Sequence, residues 1–156
     1  MIGVSFGSSS IQYTHSQSAE PSMLPEWIEN RIKVESSKAD LKGADLSHQK
    51  LMQAKLDHAN LEEADLSYSY LLCADLLGAN LREADLTSAV LSEADLNGAD
   101  LTDAEFTDAY LHGADLRNTI NLTCDQLALA YLDKTTKLPE YIQLTWTSDT
   151  TFTCHE

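Results

Sequence analysis

The amino-acid sequence predicts an all-β solenoid over residues 39–118, with short α-helical caps at both ends. Leucine, replaced once by Phe106, recurs at every fifth position from Leu41 to Leu116. Alanine stands two residues before nearly all of these side chains, and Asp or Asn usually lies between the two. The register makes 16 consecutive repeats of five.

A helix cannot use a period of five. At about 100° per residue, a step of five turns a side chain roughly 140° beyond a full turn, so the leucines would spread around the cylinder. The alternation within each repeat instead fits a short extended segment, with Ala and Leu inside and Asp in water. The two remaining residues are rich in Gly, Asn, Asp and Ser, which suit a turn at a corner.

The repeated Ala-Asp-Leu unit resembles the pentapeptide-repeat family, whose consensus is A(D/N)LXX, throughout residues 39–118. The resemblance implies a right-handed quadrilateral β-helix with four repeats in each coil. The 16 repeats then make four coils, which rise roughly 19 Å at about 4.8 Å per layer. The family is abundant in cyanobacteria, and this chain resembles its cyanobacterial members.

The residues before the repeats predict a helical cap. A solenoid needs one because its terminal coils expose apolar interior and unpaired strand edges. We place the cap at residues 23–38, with a helix at about 24–33, after a flexible segment at residues 1–22. The helix is indicated by apolar side chains, which are Met23, Leu24, Trp27, Ile28 and Ile32.

A C-terminal helical cap is predicted at residues 119–146. The five-residue register fails after Asn118, because Leu122 arrives one residue late. Thr123 and Gln126 have the spacing of a capping box, in which two side chains cap backbone N–H groups reciprocally at the start of a helix.

This capping box predicts a helix at about residues 124–132. Pro139 indicates the start of a second short helix near residues 139–144. The Ser/Thr-rich residues 147–156 are expected to form a loose tail.

The cysteines are Cys73, Cys124 and Cys154, an odd number far apart in sequence. No CxxC or Cys/His spacing indicates a zinc site. Free thiols are expected. A Cys124–Cys154 bridge is the alternative, because both residues lie in the C-terminal region.

The charge of the chain disfavours two classes of partner. There are 25 acidic and 10 basic residues, a formal net charge of −15. Nucleic acids and anionic membranes both attract basic segments, so neither direct nucleic-acid binding nor membrane insertion is expected. Because no signal peptide is visible, the cytoplasm is slightly favoured. The periplasm or the thylakoid lumen stays open if the chain is a mature form.

One side of the solenoid departs from the acidic pattern. With four repeats per coil, its outward residues share a column and an adjoining corner, and those that are apolar, here called the tyrosine face, are Tyr70, Val90, Tyr110, Leu72 and Met52. An apolar strip on an anionic rod indicates a protein partner anchored by the tyrosines. Two alternatives stay open: residues 1–38 fold back over the strip, or a second copy of the chain binds it as a homodimer.

Two inward positions on this same side hold polar residues where other repeats have alanine. They are Gln49 and Ser69. Gln49 is too large for an alanine site without overpacking. We therefore expect local distortion around residues 48–53.

A second side stacks Asp45, Asp65, Asp85 and Glu105, here called the acidic ladder. Carboxylates about 5 Å apart repel, and each is expected to raise the pKa of its neighbours. The ladder is interpreted as a solvated surface, with mimicry of a nucleic-acid backbone as a functional alternative. Calcium binding is disfavoured because no loop supplies convergent oxygen ligands, so no metal site and no cofactor are predicted.

The sequence contains no recognisable catalytic constellation. His48, His58 and His112 fall on three different sides, and no Gly-rich phosphate loop or GxSxG motif is found. We expect a non-catalytic protein-interaction or structural module rather than an enzyme. The alternative implied by the resemblance is a DNA-mimicking inhibitor of a type II topoisomerase, like the fluoroquinolone-resistance members of the family. This chain departs from those members in having Leu where they favour Phe, and in lacking long inserted loops.

Overall fold

The computed structural model describes residues 24–156. Its helices and strands, in chain order, are α1 (Glu26–Ser36), a 3₁₀ turn (Lys38–Asp40), α2 (Cys124–Ala128), β1 (Gln143–Trp146) and β2 (Phe152–His155). Between the 3₁₀ turn and α2 the chain winds through a stack of regular coils. The segment predicted to be flexible, residues 1–22, lies outside the described residues. Within residues 24–156, no helix combines the length and apolarity that crossing a bilayer requires.

The coils are joined by parallel bridges between residues four repeats apart in the sequence. Four columns of bridges begin at Asp45, Lys50, Lys55 and Asn60, so each coil has four sides. At each bridge, two backbone hydrogen bonds join the neighbouring coils. At the first bridge, the Leu46 N–H donates at 2.7 Å to the carbonyl oxygen of the residue that bridges Asp45, and the N–H of that residue donates back to the first coil at 3.0 Å. The β-helix predicted from the period of five is confirmed.

Each corner is a tight turn whose third residue has a positive φ. In the first corner the Ala44 N–H donates to the Leu41 carbonyl oxygen at 3.0 Å, and Gly43 between them has φ +64°. Residues other than glycine hold the same conformation at most corners, including His48 at φ 58° and Tyr68 at φ 56°. Because the left-handed region is unfavourable for such residues, the corner geometry is imposed by the hydrogen bonds of the coils above and below.

The interior of the coils is filled by leucine and alanine side chains. The leucines from Leu51 to Leu101, and then Phe106, are fully buried, and the inward alanines from Ala54 onward lie beside them. Ser69 is fully buried in one of the alanine sites. The packed interior leaves function to the outer sides and the ends.

Gln49 does not distort the solenoid, and that prediction is wrong. Lys50 still bridges Tyr70, and the Leu51 N–H still donates to the Tyr70 carbonyl oxygen at 2.8 Å. Gln49 lies in the first coil, where no coil lies beneath it. Its side chain lines a cavity of about 290 Å³ between this coil and α1, so it does not compete for packed volume.

Helix α1 is attached to the edge of the first coil. Pro25 precedes it, and acidic residues in its first turn and Lys33 in its last turn match the helix dipole. The Arg31 guanidinium donates to the Met52 carbonyl oxygen at 2.9 Å. The Glu35 carboxylate accepts from the Lys55 N–H at 3.0 Å. These bonds satisfy backbone groups on one edge of the terminal coil.

The pairing continues beyond residue 118 as an irregular fifth coil. Ile120, Tyr131 and Lys137 bridge to positions in the coil before it, and the spacings along the chain between the bridged residues are 20, 21 and 22 residues. Helix α2 takes the place of the remaining side, and the Gln126 amide donates to the carbonyl oxygens of Leu101 and Ala104 at 2.9 and 2.8 Å. The extra residues in this coil explain why the five-residue register fails where it does.

Helix α2 has the predicted capping box, with reciprocal bonds between Thr123 and Gln126. It ends at Ala128, earlier than the predicted residue 132. The chain must return to the coil there, because the Leu129 carbonyl oxygen accepts from the Asp108 N–H at 2.8 Å.

The C-terminal region differs most from the predictions. The prediction of a second helix near 139–144 is wrong, because β1 begins in that stretch and pairs antiparallel with β2. The loose tail at 147–156 is also wrong, because β2 lies within it. A T-shaped contact between Trp146 and Phe152, with ring centroids 5.4 Å apart, joins the two strands across the hairpin.

Cys124 and Cys154 form a disulfide, so the expectation of free thiols is wrong for this pair. Pairing of β1 with β2 places Cys154 beside the start of α2, with the two Cα atoms 5.6 Å apart. That separation lies in the usual range for a disulfide. Cys73 remains a free, exposed thiol.

Candidate protein-binding face

The structure places the predicted tyrosine face on one side of the solenoid. Tyr70, Val90 and Tyr110 form one bridged column that starts at Lys50. The Tyr70 and Tyr110 side chains are 49% and 42% exposed. Leu72 lies exposed at the adjoining corner, where its carbonyl oxygen accepts from the N–H of the residue after Met52 at 2.9 Å. The five predicted residues therefore share one surface.

Tyr131 extends this column and was missed by the sequence argument. It bridges Tyr110 in the irregular coil, is 48% exposed, and its ring lies 5.0 Å from that of Tyr110 in a stacked arrangement. Its hydroxyl donates to the Asp108 carboxylate at 3.2 Å. The signal that could have found it is a spacing of 21 residues, one more than four repeats. Tyr110 and Tyr131 have this spacing, and so do Leu111 and Leu132.

A second aromatic pair lies at the corner on the other flank of the column. The His48 and Tyr68 rings stack with centroids 5.0 Å apart and an interplanar angle of 7°. Tyr68 is half exposed. The period of five places Tyr68 above His48, and this stacking is confirmed.

The described part of the N-terminal region leaves this surface open. From residues 24–38, Arg31 reaches it at the first coil, where it binds the Met52 carbonyl oxygen. Tyr70 and Tyr110 lie in later coils and stay exposed. The hypothesis that the N-terminus covers the face now concerns residues 1–23, which lie outside the described range. Homodimer formation stays a prediction.

A cavity of about 340 Å³ adjoins the upper end of the column. Tyr131 and two residues of the α2 region line one wall. Thr151, Phe152 and Cys154 of the hairpin line the other. The tyrosine column therefore ends at a recess whose second wall belongs to the disulfide-bonded hairpin.

The acidic ladder is a bridged column, as its spacing predicts, but its electrostatics differ from expectation. Hydrogen bonds from the Ser47 hydroxyl and N–H, at 2.7 and 3.1 Å, lower the pKa of Asp45. The prediction that neighbouring carboxylates raise one another's pKa is wrong at this position. Asp65 receives the same pair of bonds from Ser67. Asp85 and Glu105 also accept a backbone N–H from the second residue after them, so each carboxylate is engaged by its own turn.

The structure assembles no catalytic centre from the predicted histidines. His48 stacks on Tyr68, His112 lies against Tyr110, and His58 packs against Gly78. Among residues 24–156, no three His, Cys, Asp or Glu side chains converge to hold a metal ion.

Cys73 is exposed but unsuited to nucleophilic chemistry. Burial of its sulfur and the nearby Glu93 carboxylate raise the pKa of the Cys73 thiol. The Sγ–Oε2 distance to Glu93 is 3.7 Å. A raised pKa reduces the thiolate fraction that reacts.

The model of the family described as pentapeptide repeats matches eight copies, at residues 37–67, 59–98 and 84–120. These matches span residues 37–120, more than half of the chain. The chain belongs to the pentapeptide-repeat family. No curated protein matches it.

Solved structures of the same family are similar to parts of the chain. A pentapeptide repeat protein from the Arabidopsis thaliana thylakoid lumen is 35% identical over 58% of this chain and 60% of its own, with a TM-score of 0.40. HetL from the cyanobacterium Nostoc sp. strain PCC 7120, involved in heterocyst differentiation regulation, is 40% identical over 47% of this chain and 33% of its own, with a TM-score of 0.28.

A third similar structure is that of QnrB1, a plasmid-mediated fluoroquinolone resistance protein. It is 17% identical over 60% of this chain and 57% of its own, with a TM-score of 0.34. The chain spans less than two thirds of the length of each of these three proteins. At these TM-scores none of them assigns a role to particular residues here.

Proposed function

We propose that the chain is a non-catalytic protein-binding module whose binding site is the tyrosine face, extended by Tyr131. One observation carries the proposal: the bridged column Tyr70–Val90–Tyr110–Tyr131 exposes its tyrosines on a chain of net charge −15. Each of the other three columns carries at least one carboxylate. Family membership supports an interaction or structural role, since no enzyme family is indicated.

Rigidity of the column favours binding. The Tyr70 N–H donates to the Gln49 carbonyl oxygen at 2.9 Å, and the Tyr70 carbonyl oxygen accepts from Leu51 at 2.8 Å. Tyrosine has only two side-chain torsions and offers a large contact area. Little conformational entropy is therefore lost when a partner binds, and more of the contact energy contributes to affinity.

Site-specific photo-crosslinking tests the proposal. A photo-reactive phenylalanine analogue at Tyr70 or Tyr110 is expected to crosslink one protein in an extract of the source cells. The same analogue at Asp85, on the acidic ladder, is expected to crosslink none. The Tyr70→Glu, Tyr110→Glu double variant should lose affinity capture of that protein by about tenfold or more, because buried carboxylates would oppose the contact.

A matched control separates the tyrosine face from general surface apolarity. Leu77 and Ile120 are also exposed apolar residues, and they lie on other sides of the solenoid. The Leu77→Glu, Ile120→Glu variant adds the same charge and should retain capture. Equal loss in both double variants would refute the tyrosine face as the site.

The second candidate function is DNA mimicry by the acidic ladder. The hydrogen bonds that lower the pKa of Asp45 favour its charged form, which supports a persistent negative column. Neutralising Asp45, Asp65 and Asp85 to Asn should then abolish capture, whereas the tyrosine variants should retain it. These opposite outcomes distinguish the two functions.

We also propose that the chain works in an oxidising compartment. The Cys124–Cys154 disulfide supports this, because such bonds persist in the periplasm and comparable compartments and are rare in the cytosol. Alkylation of acid-quenched cells should then label one cysteine, Cys73. Labelling of all three in the resting cell would favour the cytoplasm.

A further inference from the structure

We propose that the Cys124–Cys154 disulfide is a redox latch, which holds the C-terminal hairpin as a wall of the tyrosine face and keeps that face competent to bind. This inference rests on the proposed function, because binding at that face is what the latch regulates. Reduction is expected to release β2 and to open the recess beside Tyr131.

The hairpin has few other attachments on its β2 side. No residue of β2 is fully buried, although Phe152 and Cys154 pack partly buried against the core, whereas Ile142, just before β1, is 5% exposed and belongs to the core. Outside the pairing with β1, two polar contacts join the β2 side to the rest of the described chain. The Cys124 N–H donates to the Glu156 carboxylate at 2.7 Å, and Lys134 pairs with Asp149 at 2.9 Å.

These contacts are weak without the disulfide. The Lys134 and Asp149 side chains are both largely exposed, and an exposed ion pair contributes little. A two-stranded hairpin alone is marginal in water. Beyond the pairing with β1 and the partly buried side chain of Phe152, the covalent bond between the strand and α2 is therefore the main contact that holds β2 in position.

The latch acts on the proposed site through the recess. Phe152 and Cys154 form one wall and Tyr131 stands in the other, stacked on Tyr110. When β2 leaves, the column loses this wall. A partner side chain that occupies the recess in the oxidised protein would then lose half of its contacts.

The chemistry is thiol–disulfide exchange with a dithiol reductant. A reductant thiolate attacks one sulfur of the disulfide, taken here as that of Cys154 because this residue lines the recess, and the Cys124 thiolate leaves. The second reductant thiol then attacks the mixed disulfide. Two electrons and two protons pass to the protein, which ends with two thiols while the reductant ends as a disulfide.

The first test measures the latch itself. Amide hydrogen exchange is compared for the oxidised full chain, the chain reduced with dithiothreitol, and the Cys124→Ser, Cys154→Ser variant. The amides of β2 should exchange about tenfold faster or more in the last two, while those of the regular coils should not change. Unchanged β2 exchange would overturn the proposal. Cys73→Ser, which keeps the disulfide, is the matched control.

A second readout follows the hairpin by fluorescence. The chain has two tryptophans, Trp27 and Trp146, so Trp27→Phe leaves a single reporter in β1. Reduction should shift its emission to longer wavelength as the contact with Phe152 is lost. The Cys124→Ser, Cys154→Ser change in the same background should give the shifted spectrum without reductant.

The third test connects the latch to binding. The photo-reactive analogue is placed at Tyr131 or Tyr70, and crosslinking in source-cell extract is compared with and without the two Cys→Ser changes. Yield should fall about tenfold or more without the disulfide. Equal yields with an open hairpin would overturn the regulation. An absence of crosslinks at every tyrosine in both forms would instead refute the proposed function, and hydrogen exchange would still decide whether the latch opens.

Discussion

The regular coils and the C-terminal cap are built by two different methods. In the coils, one set of contacts recurs in every turn of the stack, with paired backbone bonds and a buried leucine on each side. In the cap, nearly every contact occurs once: a capping box, the Gln126 amide on two backbone carbonyls, and a disulfide. Repetition spreads stability over many equivalent sites, whereas the cap depends on a few particular bonds.

The two regions therefore differ in how they respond to a single chemical change. A coil cannot respond to one chemical event, because its neighbours hold it on both sides. The cap can respond, because a single covalent bond joins its outer strand to α2 and few other contacts hold that strand outside the pairing with β1. A surface that starts in the coils and ends at the cap, as the tyrosine face does, combines a rigid part with a switchable one.

The largest expected effect tests whether the coils are the more tightly packed region. Leu91 is fully buried in the middle of the stack, and Leu91→Ala should lower the free energy of unfolding by about 3 kcal/mol. Ile142→Ala, in the cap, should cost less because its half-exposed neighbours can relax into the space. Urea unfolding followed by circular dichroism measures both. Equal losses would show that the cap is packed as tightly as the coils.

The next effect tests whether the outer corners are packed as closely as the interior. A Cβ atom at Gly78 would lie 2.7 Å from Nδ1 of His58, so Gly78→Ala should cost about 2 kcal/mol. Gly98 has a similar positive φ and nothing within 4 Å, and Gly98→Ala should cost only about 1 kcal/mol of backbone strain.

A double variant distinguishes these two causes. In a His58→Ala background, Gly78→Ala should cost the same as Gly98→Ala, because only backbone strain remains. Thermal unfolding of the wild type, the three single variants and the double variant gives the comparison. A full cost without the His58 ring would mean that the clash is not the cause.

The periodic half of the fold could be predicted because its contacts follow arithmetic. Once the side length is five and the coil has four sides, Tyr70 must lie over Lys50 and under Val90. The same arithmetic failed at Tyr131, because α2 adds residues to the last coil. No local signal in the repeat reports how many residues a cap inserts.

The cap could be predicted only where a local motif specified it. Thr123 and Gln126 determine a helix start by themselves, and that prediction is confirmed. The disulfide depends on β1 pairing with β2, a contact between two short strands with little hydrophobic patterning. Its partners become neighbours only after that pairing, so spacing along the chain left the bridge as an alternative rather than the expectation.

A smaller effect tests the junction between coils and cap. Asp115, in the last regular coil, accepts hydrogen bonds from Arg117 at 2.7 Å and from Lys137 of the irregular coil at 3.2 Å. The Arg117 guanidinium holds the pKa of Asp115 well below its usual range, and Lys137 adds to this. The side chain is 14% exposed, so part of this interaction should appear as stability.

Asp115→Asn should lower the free energy of unfolding by about 1 kcal/mol at pH 7. Because the folded-state pKa is the lower one, the unfolded chain takes up the proton first as the pH falls. The advantage of the native protein is therefore complete at neutral pH and shrinks as the pH drops below about 4. Urea unfolding at pH 7, 4 and 2.5 gives the series. A difference that does not depend on pH would exclude the ion pair as the cause.

The smallest effect has the opposite sign. Ser69 is fully buried and its hydroxyl has no hydrogen-bond partner, so Ser69→Ala should raise stability by up to about 1 kcal/mol. Thr119, buried near the cap, donates to the Leu116 carbonyl oxygen at 2.8 Å, and Thr119→Val should lower stability by about 1 kcal/mol. Opposite shifts in melting temperature would confirm that alanine at every inward site stabilises the coils, whereas particular hydrogen bonds stabilise the cap.

Because the coil has four sides, the loss of one repeat moves the outer surface that follows it by a quarter turn. Its interior is nearly the same on every side, so removing one whole repeat, such as residues 94–98, leaves leucine above leucine. Everything after the deletion moves back by one side, and Tyr110 would then stand above Asp85 instead of Val90. Gain or loss of a single repeat can therefore assemble or dismantle a binding surface in one genetic step, without any change in the core.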